Sequence, residues 1–411
     1  MLSMLRRART EFPRQFWLVL WGMLISTIGA SMIWPFMMVY VSERLGMPMT
    51  ATAGLMTISS VMGLIASFIA GPIVDRFGRK WVMVISLVVN ALGYVYMAAA
   101  QTLPDFIIVM VVTGIFNPLY RIGVDAMIAD LIPSEKRPDA YALIRTAHNV
   151  GVALGPAIGG FIAAISYGIA FLIGAAGMII FSLLISLFAK ETLPAWAPGH
   201  VHRAERIGGY GSILRDRPFM SFVGSFTLVT MAAAMVWMLL AVYTKQNFGI
   251  IESEYGFIPT TNAMMVILFQ FAVTQITKRH PPLRMIALGA VFYAVATLSI
   301  AWGMGFWGFW LSMVILSIGE LIMMPTASTY VAELAPADKR GRYMGVFGLT
   351  WNVAMGIGPV IGGLLNDNIS PVSIWYGGAL FGFASVIGFV LLARNYRPPV
   401  AQPVTEAGIN D

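Results

Sequence analysis

The sequence predicts an all-α integral membrane protein of twelve transmembrane helices in two pseudo-symmetric six-helix bundles. Three observations carry that reading. Of 411 residues, 58% are hydrophobic and only 11% charged, far too little charge to cover a soluble surface. The apolar runs are of spanning length, roughly 20 residues each. The two halves of the chain also resemble one another.

Residues 1–15 are basic and read as a cytoplasmic N-terminal segment. A full-length span from about Phe16 to Tyr40 follows without a small-residue cleavage site, so no secretory signal peptide is expected. Uncharged runs at 15–42, 45–74, 81–104 and 106–120 (the last continuing past Arg121, Asp125 and Asp130 to about Leu131) predict spans one to four. The 44 uncharged positions from 146 to 189 are twice one span, and a break near Ser166, Tyr167 and Gly168 divides them into spans five and six. Together 16–189 form the first bundle, and 190–217, rich in Pro and Gly, is a cytoplasmic linker. Runs at 218–244, 255–277, 285–332 (broken near Trp302 to Phe306), 343–366 and 368–393 supply spans seven to twelve and the second bundle, 218–393. Residues 394–411 read as a cytoplasmic tail without apolar periodicity.

The duplication is explicit at a constant offset of 203 residues. ADLIPSEKR from Ala129 aligns with AELAPADKR from Ala332, and NVGVALGPAIGG from Asn149 with NVAMGIGPVIGG from Asn352; 12 of the 32 positions from 129 to 160 are identical. Transporters built from such repeats hold substrate near the midplane where the repeats meet.

Charge follows topology. Of the 26 Lys and Arg residues, 22 lie in the termini and alternate loops, leaving Arg44 and Lys245 in the other loops and Arg121 and Arg145 inside spans. By the positive-inside rule both termini face the cytoplasm of a cell membrane. That distribution accounts for the net charge of +7 without nucleic acid. No cysteine is present, which excludes disulfides and thiolate chemistry. There is no P-loop, no H-E-x-x-H and no histidine spacing for a metal, so neither an enzyme nor a metal or cofactor site is expected.

Between spans two and three stands GPIVDRFGRK, with Gly71, Asp75, Arg76, Gly78, Arg79 and Lys80. Gly71 permits close helix approach and Gly78 a tight turn. In that loop of a duplicated twelve-span chain, the pattern resembles the major facilitator superfamily. The resemblance implies that Asp75 and Arg79 latch the first bundle to the start of span eleven, with Asp130 at the end of span four as acidic partner, and that this latch stabilises the outward-facing state. Lys278 stands where the offset would repeat Asp75, so the latch is one-sided.

Gly151, Gly155, Pro156, Gly159 and Gly160 in span five are similar to the glycine-proline stretch of antiporters and exporters in that superfamily, although Ala142 replaces its upstream glycine. Small residues also serve plain helix packing. Charges inside spans are costly and thus functional candidates. Glu320 lies near the middle of span ten, in a stretch resembling span ten of drug and proton antiporters, where the glutamate takes part in protonation or binding of cations. The offset places Asn117 opposite it. Arg121 and Asp125, four apart on one helical face, can neutralise each other, and with Arg145 and His148 on span five they suit a proton relay or gate. Met110 replaces the arginine many exporters use for coupling, which shifts weight to that cluster. Trp34, Trp237, Phe269, Met323 and Trp351 are candidates to line a cavity for apolar substrates, and 28 methionines suit a pliable surface.

The resemblance implies proton-coupled efflux of hydrophobic or cationic small molecules, with substrate, protons and the lipid bilayer as partners and a monomer as the working unit. Uptake or exchange of a sugar or organic anion, and a non-transporting sensor or scaffold, are the alternatives.

Overall fold

The computed structural model describes residues 11–193, 210–336 and 339–395. Among the described residues, twelve helices are long and apolar enough to cross a membrane: α1 Arg14–Leu45, α2 Met49–Phe77, α3 Arg79–Ala99, α4 Leu103–Leu131, α5 Ser134–Ile165, α6 Tyr167–Phe188, α7 Arg217–Phe248, α8 Glu252–Thr277, α9 Pro282–Ile300, α10 Gly305–Leu334, α11 Arg340–Asn368 and α12 Ser373–Arg394. Among the described residues there is no strand. Most of the N-terminal segment, linker and tail (1–10, 194–209 and 396–411) lies outside the described residues.

The duplication extends well beyond the stretch where identity reveals it. Adding 203 to α1 returns the bounds of α7, and adding 203 to the helix Arg137–Ile165 returns those of α11. Even the stops repeat, because Gly46 and Gly249 end α1 and α7 with φ of 59° and 68°, left-handed values that favour glycine. Other ends use side chains. Thr102 and Asp105 form a capping box on α4, and Asp216 accepts the Phe219 N–H at 3.2 Å to start α7.

Within the first bundle α1 packs on α5 and α6, α2 on α4, and α3 on α4 and α6; the second bundle repeats this with α7, α11 and α12, α8 and α10, and α9 with α10 and α12. The bundles meet where α2 crosses α11 and α5 crosses α8. Both crossings depend on a glycine. A Cβ on Gly363 would fall 2.6 Å from the Thr50 Cα, and one on Gly160 would collide with the Glu252 carbonyl and crowd the Ser253 Cα. The offset of 203 relates Gly160 to Gly363 and Thr50 to Ser253, so these are one contact made twice.

Both crossings lie toward the face opposite the basic loops. At the basic end the helices diverge: a Cβ on Gly71 of α2, or on Gly341, Gly345 or Gly348 of α11, would meet nothing within 4 Å. A cleft therefore opens between the bundles on the basic face. The close approach expected at Gly71 is not made in this structure. Gly78 does turn the chain as expected, with φ of 91° between α2 and α3.

Candidate functional site

Glu320 sits near the middle of the 30-residue α10, half-buried on the cleft side. Its Oε2 accepts a hydrogen bond from Asn262 Nδ2 on α8 at 2.8 Å, and the same amide donates to Ser317 Oγ at 3.0 Å. Inside hydrocarbon a lone carboxylate is costly, and this amide and hydroxyl hold it in one orientation without neutralising it. Asn117, the mate of Glu320 by the 203 offset, is exposed on α4. Its surroundings differ because the offset puts Gly114 and Ser59 where the second half has Ser317 and Asn262.

Arg121, Asp125, Arg145 and His148 are all exposed, although they lie on membrane-spanning helices. The opening of the cleft on the basic face accounts for that. Arg121 and Asp125 stand one turn apart on α4, and Arg145 and His148 one turn apart on α5. The helical spacing of Arg121 and Asp125 suggests mutual neutralisation, yet they make no salt bridge among the described residues. In a hydrated cleft both charges are solvated, so nothing forces their side chains together.

Of the residues proposed to line a cavity, Trp34 and Trp237 face each other with ring centroids 5.9 Å apart and planes at 48°. They are mates under the 203 offset, so the pair stands on the pseudo-two-fold axis. Trp351 is exposed on α11. Met323 and Phe269 must be corrected. Met323 has no exposed surface and packs in the core of the second bundle against Gly289 of α9. Phe269 lines a crevice among α8, α9 and α10 on the outside of that bundle.

The GPIVDRFGRK block is organised within the first bundle. Arg79 donates through Nε to Asp130 Oδ2 at 2.9 Å and pairs with Asp75 at 3.0 Å. The Glu191 carboxylate, just beyond α6, accepts the backbone N–H groups of Arg79 and Lys80 at 3.0 and 3.1 Å. Arg76 and Lys80 instead lie over the rings of Phe77 and Trp81. Asp130 is thus the partner of Arg79, as the resemblance implies, while the expected reach to the start of α11 is absent among the described residues. The divergence of α2 from α11 at this end explains why.

The span-five glycines divide their work. A Cβ on Gly151 would fall 2.8 Å from Thr27 Cβ, and on Gly155 or Gly159 would collide with Ser31 or Met32, so these three set α5 against α1. Gly160 faces the other bundle, and the carbonyl of Pro156 meets Gly256 there.

Sequence reasoning missed the groups that close the opposite face. Lys245 bridges Glu43 and Glu252, and Glu252 also accepts from the Tyr167 hydroxyl. Beside it Gln246 donates to Ser42 at 3.2 Å. The offset takes Ser42 and Glu43 onto Lys245 and Gln246, so the two contacts are symmetry mates with different chemistry. Asp367 of α11 accepts the N–H groups of Met49 and Thr50 at 3.2 and 2.8 Å and the Thr50 hydroxyl at 2.7 Å, capping α2 from the other bundle. Lys245 already stood out as a cation in the wrong set of loops; no local pattern marks Asp367 or Asn262.

The Major Facilitator Superfamily family model matches residues 19–246 and again 223–409. The chain is 26% identical over 396 residues to the "Na(+), Li(+), K(+)/H(+) antiporter" of Planococcus maritimus, covering 88% of this chain and 91% of that protein. It is 25% identical to "Multidrug resistance protein 1" of Bacillus subtilis, over 85% and 89% of the two chains. Among solved structures, a POT family transporter in complex with a thioalcohol-conjugated peptide superposes with a TM-score of 0.75 at 16% identity, over 93% of this chain and 96% of that one. At that identity the likeness speaks for the fold.

Proposed function

The chain belongs to the major facilitator superfamily of transporters, and from that premise we propose that it is a proton-coupled antiporter exporting hydrophobic or cationic small molecules by alternating access. One observation carries the proposal: Glu320 is held by Asn262 at the middle of a spanning helix, with no cation paired to it among the described residues. A carboxylate there can hold either a proton or a cationic substrate, and competition between the two couples their movements. Arg121, Asp125, Arg145 and His148 link that exchange to the movement of α4 and α5. Trp34, Trp237 and Trp351 supply aromatic faces for a flat or cationic substrate.

With the basic loops in the cytoplasm, the structure corresponds to an inward-open state. The Lys245 network, the Asp367 cap and the two glycine crossings then close the outer side. The latch of Asp75, Arg79 and Asp130 has its first-bundle part assembled and closes on α11 when the cleft shuts. The names of the antiporter and multidrug-resistance relatives agree with this reading.

The test is transport in everted membrane vesicles under an imposed pH gradient, with a cationic dye, Na⁺ and K⁺ each as candidate substrate. Glu320→Gln and Asp125→Asn should abolish gradient-driven dye or cation uptake. Full proton-dependent uptake by Glu320→Gln would overturn the assignment. A second reading, exchange of an organic anion, is favoured by the exposure of Arg121 and Arg145 in the cleft without a salt bridge among the described residues; it predicts that an anionic metabolite, and not the dye, drives counterflow.

A further inference from the structure

The crevice that holds Phe269 is lined by α8, α9 and α10 and encloses about 490 Å³, within the range of small-molecule sites. It faces lipid. Ile318, Leu321 and Ile322 lie 100–160° around α10 from Glu320 at about 100° per residue, so the crevice opens away from the cleft. From Thr277 to Met265 its wall on α8 is about 18 Å long at roughly 1.5 Å per residue. One leaflet of a bilayer whose hydrocarbon core is about 30 Å thick is about 15 Å deep.

The same place in the first half is filled. The offset of 203 takes Val273, Thr277, Met285, Ile318 and Ile322 of the crevice onto Ala70, Val74, Val82, Ile115 and Leu119. There those residues pack together as a closed apolar cluster of α2, α3 and α4. The charges above differ in parallel. Over the filled cluster Arg79 is neutralised by Asp75 and Asp130. Over the open crevice His280 lines the mouth and Lys278, Arg279 and Arg284 are exposed beside it. None of the four has a side-chain hydrogen-bond or ion-pair partner among the described residues.

We propose that this crevice is a binding site for an anionic phospholipid of the leaflet on the basic face, its acyl chain along α8 and α10 and its phosphate on Lys278, Arg279 and Arg284. The apolar length matches one acyl chain in one leaflet. The unmatched cationic rim stands where the phosphate of that lipid would lie, and basic residues at a membrane surface favour anionic lipid by about fivefold each.

The experiment is native mass spectrometry of the full chain released from nanodiscs containing equal phosphatidylglycerol and phosphatidylcholine with identical acyl chains. Wild type should retain phosphatidylglycerol at least about tenfold over phosphatidylcholine. The triple variant Lys278→Gln/Arg279→Gln/Arg284→Gln should lose that preference, whereas Lys136→Gln, an exposed cation on the same face, keeps it. Ala272→Trp, which fills the crevice, should lose retained lipid of both kinds; the rim variant stands as an independent test if Ala272→Trp does not fold. Equal retention of both lipids by wild type, or an unchanged preference in the rim variant, would overturn the proposal. So would displacement of the lipid by inorganic phosphate, which would make the rim an anion site with no role for the crevice.

Discussion

Asp367 caps a helix that belongs to the other bundle, so its contribution must appear in the balance between conformations. All three of its bonds, to Met49 N, Thr50 N and Thr50 Oγ1, cross between bundles. An N-cap side chain contributes about 1 kcal/mol, and a negative charge at an exposed helix N-terminus about 0.5 kcal/mol. Both are lost when the closed face opens. Asp367→Ala should therefore shift the equilibrium toward the state open on that face by about 1.5 kcal/mol, or roughly tenfold. Asp367→Asn keeps a capping oxygen and loses the charge, so it should shift the balance only about twofold. The absence of cysteine makes the assay direct: spin labels at Met47→Cys and Ile251→Cys report the distance across the closed face by pulsed electron resonance. Asp216 is the control, since it caps α7 within its own bundle. Asp216→Ala should lower stability and leave the distance distribution unchanged. If Asp367→Ala left the distribution unchanged, or if Asp216→Ala shifted it equally, the reasoning from trans-bundle capping would fail.

Other consequences concern stability. Arg79 is buried and joins α3 to α4 through the solvent-accessible Asp130, so Arg79→Gln should cost about 1–2 kcal/mol, between the values for exposed and buried pairs, and lower the thermal midpoint of the detergent-solubilised protein; Asp75→Asn, whose carboxylate is 67% exposed, should change it by less than about 1 kcal/mol. Gly159→Ala would drive a methyl group into the Met32 backbone and should reduce the folded yield severalfold. In this conformation Gly71→Ala meets open space and should leave the yield unchanged.

How much of this was legible in the sequence depends on whether a contact is local, repeated or neither. Helix existence follows from composition and run length, and the 203 offset, detectable by identity only near residues 129–160, carries through the helix bounds. Applied further, that offset would have paired Trp34 with Trp237 and Gly160 with Gly363 in advance. It could not reveal that Glu43 meets Lys245 or that Asp367 caps α2, because those contacts depend on how two separate bundles lean together. Facing along a helix was the other weakness. Met323 and Phe269 belong to helices apolar on nearly every side, and such helices carry too little periodicity to separate cleft from core or lipid. Arg121 and Asp125 show the complement: spacing places them on one face, but hydration of the cleft removes the need to pair.

The central claim is that Glu320 exchanges a proton for substrate, and proton release measures it most directly. Purified protein in weakly buffered detergent solution, given a cationic dye that it transports, should release protons in proportion to dye bound. Glu320→Gln should release none while the fold, judged by its thermal midpoint, is retained. Release by Glu320→Gln equal to that of wild type would contradict the account and move the coupling to the Asp125 and His148 side of the cleft.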